Sequence, residues 1–226
     1  MTSPLGKRWP AVLLLLAALW VRSVGEVRAQ TLPLHTGCAP KERVTEYGCS
    51  ILAWLRVDQL PSMRLYWHLD AFPSRQEAEA RRTETGAVVM AHDQIWLLTV
   101  APEEWRRGEW RRVATVGPIP VQAARRYGLL FFEGVSPGGV TAFTHKHSGP
   151  EAWYVLEGEQ CVETPAGVFR ARAGEAMVLP AGVPMSVSGR GATPRRSLSL
   201  IVHDGDAAPT VPSGEWTPTG RCLSEP

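Results

Sequence analysis

The stretch GGVTAFTHKHSGPEAWYVLEGE, from Gly138 to Glu159, decides which fold the sequence predicts. Within it, VTAFTHKH (residues 140–147) alternates in the manner of a β-strand, which puts His145 and His147 on the same face. A Gly-Pro pair then turns the chain, and Glu151 opens the next strand. Two imidazoles and one carboxylate directed at one point can bind a divalent transition metal and leave coordination positions open for substrate or water. The stretch therefore predicts a metal site on the wall of a β-structure.

Short strands separated by Pro and Gly turns continue on both sides of this stretch, from Leu129 to about residue 204. The strand-like segments are LLFFEGV, EAWYVLEG, EQCVET, GVFRAR, EAMVLP, VPMSVS and RSLSLIVH. Strands of this length and even spacing predict a small all-β barrel or sandwich.

The spacing of residues around the two histidines resembles the first signature of the cupin family at every defined position. The matching residues are Gly139, His145-Lys146-His147, Glu151 and Gly158, and they are separated by five, three and six residues. A second segment resembles the start of the second cupin signature, with Gly174, five residues and Pro180-Ala181-Gly182. The resemblance implies a mainly β protein in which residues 129–204 form a cupin double-stranded β-helix, a jelly-roll-like barrel.

The second signature departs from the family pattern at the position of the fourth metal ligand. A histidine is expected there and this sequence has Met185, while the asparagine expected four residues later is Gly189. The resemblance thus carries over three ligands, and three interpretations stay open: a three-ligand site, a site completed by the soft thioether of Met185, which favours copper, or a pocket that has lost its metal. We expect Met185 to pack in the core and His203 to lie near solvent at a strand end rather than to replace the ligand.

The resemblance implies a divalent transition metal, with Fe, Mn, Ni, Cu and Zn all open. The ligand-bearing faces also predict an apolar pocket beside the ion, lined by Phe143, Trp153, Met177 and Met185. Such a pocket suits a small, largely apolar ligand or substrate. Three classes of function fit: a metal-dependent oxygenase, lyase or isomerase; a non-catalytic ligand-binding cupin; and an interaction or sensory protein. The resemblance also allows a homodimer joined through an edge strand.

The N-terminus has the pattern of a secretory signal peptide over residues 1–29. A basic start precedes the apolar run AVLLLLAALWV, and Val27-Arg28-Ala29 offers small residues at a cleavage site. The apolar run is about half of the roughly 20 residues that a spanning helix needs. We therefore expect cleavage before Gln30, no stable membrane insertion afterwards, and a periplasmic or secreted protein.

Removal of the predicted signal peptide changes the charge of the chain. The full sequence has 24 basic and 22 acidic residues, of which four basic and one acidic lie in residues 1–29. The remaining 20 basic and 21 acidic residues give a net charge of −1. A nearly neutral chain gives no electrostatic reason to expect nucleic-acid binding.

Residues 30–128 predict an N-terminal α+β extension, and residues 205–226 predict a C-terminal tail on the surface. In the extension, RLYWHLDAF, AVVM and DQIWLLTVA resemble strands. Between the first two, Ser74 and Glu77 form a capping-box signal for a helix that ends at Gly86.

Four cysteines remain after signal cleavage, and an even count in an exported protein predicts two disulfides. Four cysteines allow three connectivities, of which we favour Cys38–Cys49 and Cys161–Cys222. The first closes a short N-terminal loop, and the second ties the tail to the barrel. A structural zinc site is the alternative.

Overall fold

The structure is a computed structural model that describes residues 39–40, 47–106, 108 and 110–224. Within these residues the chain forms fifteen strands and two short helices. The strands are β1 (Ala39–Pro40), β2 (Gly48–Val57), β3 (Leu65–Phe72), β4 (Gly86–Ala91), β5 (Gln94–Ala101), β6 (Arg111–Ile119), β7 (Tyr127–Ser136), β8 (His145–His147), β9 (Glu151–Glu157), β10 (Glu159–Thr164), β11 (Gly167–Arg172), β12 (Ala176–Leu179), β13 (Ser186–Arg190), β14 (Arg195–Asp204) and β15 (Thr210–Pro212). The helices are α1 (Arg75–Glu79) and α2 (Arg221–Ser224). Neither described helix is long and apolar enough to cross a membrane, and the predicted signal peptide lies outside the described residues.

The barrel is built from one large sheet and two smaller ones. The large sheet has the strand order β1-β2-β7-β14-β9-β12, and the smaller ones have the orders β11-β10-β13 and β15-β8. Strand β14 lies antiparallel between β7 and β9, with Ile201 opposite Leu130 on one side and Glu151 on the other. The mainly β barrel predicted from the sequence is confirmed.

A four-stranded sheet with the order β4-β5-β3-β6 packs against the outer face of the large barrel sheet. Both sheets contribute to one hydrophobic core, in which Trp67 and Leu98 of the N-terminal sheet join Phe131 and Leu200 of the barrel. The apolar run of β7 follows from this arrangement, because the strand is buried on both faces.

The predicted capping box is present at α1. The Ser74 side chain accepts a hydrogen bond from the Glu77 backbone N–H at 3.2 Å. The predicted extent of the helix was wrong, because the helix ends at Glu79 instead of continuing to Gly86. Thr85 instead donates its hydroxyl to the Val100 carbonyl at 2.7 Å, which draws the chain into the N-terminal sheet.

Several parts of the strand pattern differ from the prediction. Strands β1, β2, β6 and β15 were not predicted, and the strand predicted over residues 140–147 contains only His145–His147. Before β8 the chain makes isolated bridges, of Gly138 with Gly189 and of Thr141 with Ser188, instead of a continuous ladder. Strand β2, from the predicted extension, pairs with β7 in the barrel sheet. The domain boundaries themselves stay predictions.

The disulfide between Cys161 and Cys222 is present and confirms that predicted pair. It joins β10 to α2 across 61 residues of sequence. Nearby, Glu163 accepts hydrogen bonds from the backbone and hydroxyl of Thr219, at 2.6 and 2.7 Å. Cys49 is also disulfide-bonded, and its predicted partner Cys38 lies outside the described residues. The C-terminal tail is therefore fixed to the barrel at its far end.

We expect the double substitution of Cys161 and Cys222 by serine to lower the free energy of unfolding by about 3 kcal/mol, since the disulfide limits the entropy of the unfolded chain. Urea-induced unfolding measures the change. Ser224→Ala, an exposed position on the same helix, is the matched control and should change stability by less than about 0.5 kcal/mol. Equal stability of the double variant and the control would show that the bridge does not stabilise the fold.

Candidate metal site

The two histidines are held in place by neighbours on both sides of β8. The backbone of His145 exchanges hydrogen bonds with Met185, at 3.0 and 2.8 Å. On the other side β15 pairs antiparallel with β8, so that Thr210 lies opposite His147. Because the two histidines are two residues apart on a strand, their side chains share a face.

A tight turn brings Glu151 to the same point. Gly149 is buried there, and a Cβ at this position would lie 1.8 Å from the carbonyl oxygen of Val202. The Val202 backbone N–H donates to the Pro150 carbonyl at 3.1 Å, which fixes the turn against β14. Glu151 then begins β9 directly beside the two histidines.

The structure brings His145, His147 and Glu151 together as one buried group. One potential ligand atom from each residue lies within 4.8 Å of the others, and the residues are 8%, 4% and 3% exposed. The two imidazole rings lie 4.9 Å apart between centroids. Within the described part of the chain, this group is the one whose geometry could hold a metal ion.

The hydrogen bonds of the two imidazoles determine which nitrogen faces the centre of the group. His145 Nδ1 donates to the Phe143 carbonyl at 2.8 Å, and His147 Nδ1 donates to the Pro209 carbonyl at 3.0 Å. With a proton on each Nδ1, the Nε2 atoms carry the lone pairs. In metal-binding histidines, a hydrogen bond of this kind from the ring nitrogen that does not bind the metal orients the ring and fixes its tautomer.

The contact between His147 and Glu151 tests whether these residues suit a metal ion. His147 Nε2 lies 2.6 Å from Glu151 Oε2, yet both buried atoms lack a partner in hydrogen-bond geometry. Buried polar atoms are rarely left in this state. A shared cation would satisfy both atoms at once, so the residues present fit a divalent ion.

The charges of the group act differently on the two histidines. Burial, and then the neighbouring His147, lowers the pKa of His145. Burial is the largest influence on His147 and acts to lower its pKa, but the charge and close contact of Glu151, together with the hydrogen bond to the Pro209 carbonyl, outweigh it and raise that pKa. His145 is therefore held in the neutral form that binds metals, and the carboxylate of Glu151 attracts positive charge to the same point.

The two methionines predicted to line the pocket do not line it, and they pack instead in a hydrophobic cluster beside it. Met185 is 1% exposed and packs with Trp153, Val162 and Leu179, while Met177 packs partly buried against the same cluster. Met185 thus lies in the core, as expected. The expectation that His203 lies near solvent was wrong: it is 2% exposed and does not belong to the ligand group. Its Nδ1 donates to its neighbour's carbonyl at 2.7 Å.

A cavity of about 530 Å³ lies beside the ligand group, and all three residues of the group line it. Most of its other lining side chains are apolar, and they include the predicted Phe143 and Trp153. The cavity extends along the inner face of β7 and β14 inside the barrel. A concave, largely apolar space with a few polar groups is typical of a small-molecule site.

One charged residue of the cavity was missed from the sequence. Arg195 lines the cavity at the start of β14, on the same side of the strand as Ser199 and Ile201. The alternation in RRSLSLIV could have indicated this, because positions 195, 197, 199 and 201 share one face. The adjacent Arg196 instead pairs with Glu157, its side chain 37% exposed.

Residues 131–201 match the family model for the cupin domain. This match agrees with the barrel topology and with the His-His-Glu group, and residues 131–201 therefore form a cupin domain. No curated protein sequence matches the chain.

Several solved structures are similar to the barrel. An uncharacterised conserved protein with a double-stranded β-helix domain from Klebsiella pneumoniae is 20% identical, over 38% of this chain and 76% of that chain, with a TM-score of 0.34. A cupin-like protein from Thermotoga maritima is 14% identical, over 43% and 74%, with a TM-score of 0.36. A DMSP lyase from Ruegeria pomeroyi is 25% identical, over 38% and 45%, with a TM-score of 0.34.

We expect Gly149→Ala to destabilise the protein by about 2 to 3 kcal/mol, because the added methyl group must displace the backbone of β14. Gly214→Ala is the matched control, since a Cβ there meets nothing within 4 Å. It should change stability by less than about 0.5 kcal/mol. Urea-induced unfolding compares the two variants, and equal effects would mean that the close approach at the turn is not required.

Proposed function

We propose that this protein is an exported cupin that binds one divalent transition metal ion through His145, His147 and Glu151 and acts on a small molecule in the adjacent cavity. The observation that carries the proposal is the convergence of three buried ligand atoms within 4.8 Å, in a group that lines the cavity. The predicted exported state follows from residues 1–29, which have the pattern of a signal peptide.

The residues of the chain have separate roles in this proposal. The main-chain carbonyls of Phe143 and Pro209 hold the imidazoles with Nε2 toward the ion. The apolar wall of the cavity excludes water from the ligand, which strengthens polar interactions there. A bound ion of Fe, Mn, Ni, Cu or Zn would supply Lewis-acid or redox chemistry at its open positions. Oxygenase, lyase and isomerase reactions are all consistent with such a site.

A specific observation favours a second candidate function, a cupin that binds a small ligand without turnover. The position of the family's fourth ligand is occupied by Met185, whose side chain packs with Trp153 in the core. A site with fewer protein ligands can bind its metal too weakly to work as a catalyst. Metal-dependent consumption of oxygen or of a carbonyl-bearing substrate would support the enzyme, and a ligand retained through purification without turnover would support the binding protein.

We expect the wild-type protein, purified without chelators or a histidine tag, to contain about one metal ion per chain. His145→Ala should reduce the bound metal by about tenfold or more, because it removes a directly coordinating nitrogen. Elemental analysis of the exported protein measures the content and identifies the metal. Glu151→Gln, which keeps the shape of the side chain and removes its charge, should lower the content as well.

Two control variants address the other residues considered as the fourth ligand. Met185→Leu and His203→Ala should keep the wild-type metal content, because neither side chain belongs to the ligand group. A loss in Met185→Leu as large as that in His145→Ala would identify the thioether as a ligand. Absence of metal from the wild-type protein, even after reconstitution, would overturn the metal-binding proposal.

The exported state has its own test. When the full chain is produced in a secreting host, we expect the mature protein outside the cytoplasm, with an N-terminus at or close to Gln30. Intact-mass measurement gives the cleavage position. Replacement of Leu14 and Leu15 in the apolar run by arginine is the control and should keep the chain uncleaved inside the cell, because it interrupts the apolar segment that export requires. An uncleaved wild-type chain in the cytoplasm would contradict export.

A further inference from the structure

The guanidinium of Arg195 lies at the cavity with donors that the protein leaves unused. Its Nη1 donates to the side-chain oxygen of Gln160 at 2.5 Å and to the hydroxyl of Ser197 at 3.2 Å. Its Nε is buried and has no hydrogen-bond partner. Among the described residues no acceptor is found for Nη2, which adjoins Gly134. The nitrogens on one side of this guanidinium are therefore free for another acceptor.

The charge of Arg195 is also poorly compensated. None of the described carboxylates forms a salt bridge with it, and Glu151 is the acidic group whose charge acts on it. Burial, opposed by Glu151, lowers the pKa of Arg195 to about 10, so the side chain stays positively charged near neutral pH. Arg195 is half-buried with its Nε fully buried, and a charge withdrawn from water in this way is usually paired in proteins.

Glu151 cannot compensate both Arg195 and a metal ion. Once Glu151 coordinates a divalent cation, its negative charge is neutralised, and the cavity then carries net positive charge from the ion and from Arg195. The remaining lining includes no other carboxylate. An anionic ligand is the species that would balance this charge.

The position of Arg195 indicates which part of the ligand it would contact. Ile201, opposite Glu151 in the sheet, lies six residues along β14 from Arg195 and on the same face. At about 3.3 Å per residue, the two backbone positions are about 20 Å apart, and the long arginine side chain shortens the gap. A ligand with its anionic group at Arg195 would therefore place its apolar body against the cavity wall and its other end toward the His-His-Glu group.

We propose that Arg195 is a specificity-determining residue that binds the anionic group, such as a carboxylate, of a small apolar ligand in the barrel cavity. This inference rests on the proposed function, because it takes the cavity as the ligand site. Gln160 and Ser197 are positioning residues, because they hold Nη1 and so direct the opposite side of the guanidinium. Gly134 leaves room for that side, since a Cβ there would lie 3.0 Å from Nη2.

The test uses hexanoate and hexanamide, two probes of the same shape that differ in charge. The Glu151→Gln variant serves as the background protein, because it removes the charge of Glu151 as a bound ion would. The buffer contains a chelator, so that no metal ion is left to attract the carboxylate of the probe. In this protein we expect hexanoate to bind about tenfold or more tightly than hexanamide, as charged hydrogen bonds imply. Isothermal titration calorimetry measures both affinities.

Adding Arg195→Gln should weaken hexanoate binding about tenfold or more and hexanamide binding much less, so that the preference for hexanoate disappears. Adding Arg196→Gln is the matched control, because it removes the adjacent positive charge, which pairs with Glu157 away from the cavity. It should keep the preference. Equal binding of the two probes in the background protein, or a preference that survives Arg195→Gln, would overturn the proposal.

A further variant keeps the result interpretable if Arg195→Gln does not fold. Gly134→Ala retains Arg195 and places a methyl group against Nη2, so it should weaken hexanoate binding selectively. Unchanged hexanoate affinity in Gly134→Ala would count against the inference. Since these measurements contain no metal, they can succeed when elemental analysis finds no ion in the wild-type protein, and the two proposals fail independently.

Discussion

The burial of the central barrel sheet on both of its faces is the constraint on which the rest of the structure depends. Along β7, Leu129 and Phe131 pack into the core shared with the N-terminal sheet, while Leu130 and Phe132 line the cavity. A slip of one residue would exchange these two sets of side chains, so the register is fixed strongly. The N-terminal sheet therefore acts as the support that holds the cavity wall, although it contributes none of the candidate metal ligands.

The candidate ligands depend on contacts from distant parts of the sequence. His147 is oriented by the carbonyl of Pro209 and contacts the Thr210 hydroxyl, both in the C-terminal tail. That tail is in turn tied to β10 through Cys222. The tail is therefore part of the support of the candidate metal site, and the disulfide links that support to the barrel.

The cavity combines two features that are rarely found together in a purely structural core. Its wall is mostly apolar, yet Glu151 and Arg195 bring opposite charges into it without forming a salt bridge with each other. A protein that needed only a packed interior would be more stable with apolar residues at both positions. The two charges are better explained by binding partners, a cation at Glu151 and an anion at Arg195.

The sequence by itself determined the barrel and the residues of the candidate metal group. Strand length, alternation and the HxH spacing are local properties of the sequence. They predict the structure correctly because alternate side chains of a strand share a face in any sheet. The Cys161–Cys222 pair was also anticipated, although the sequence alone left other pairings open. Only the tertiary structure decided that β2 joins the barrel sheet, that His203 is buried and that Arg195 faces the cavity. These features depend on which face of each strand the neighbouring layers cover, and that is a property of packing between residues far apart in sequence.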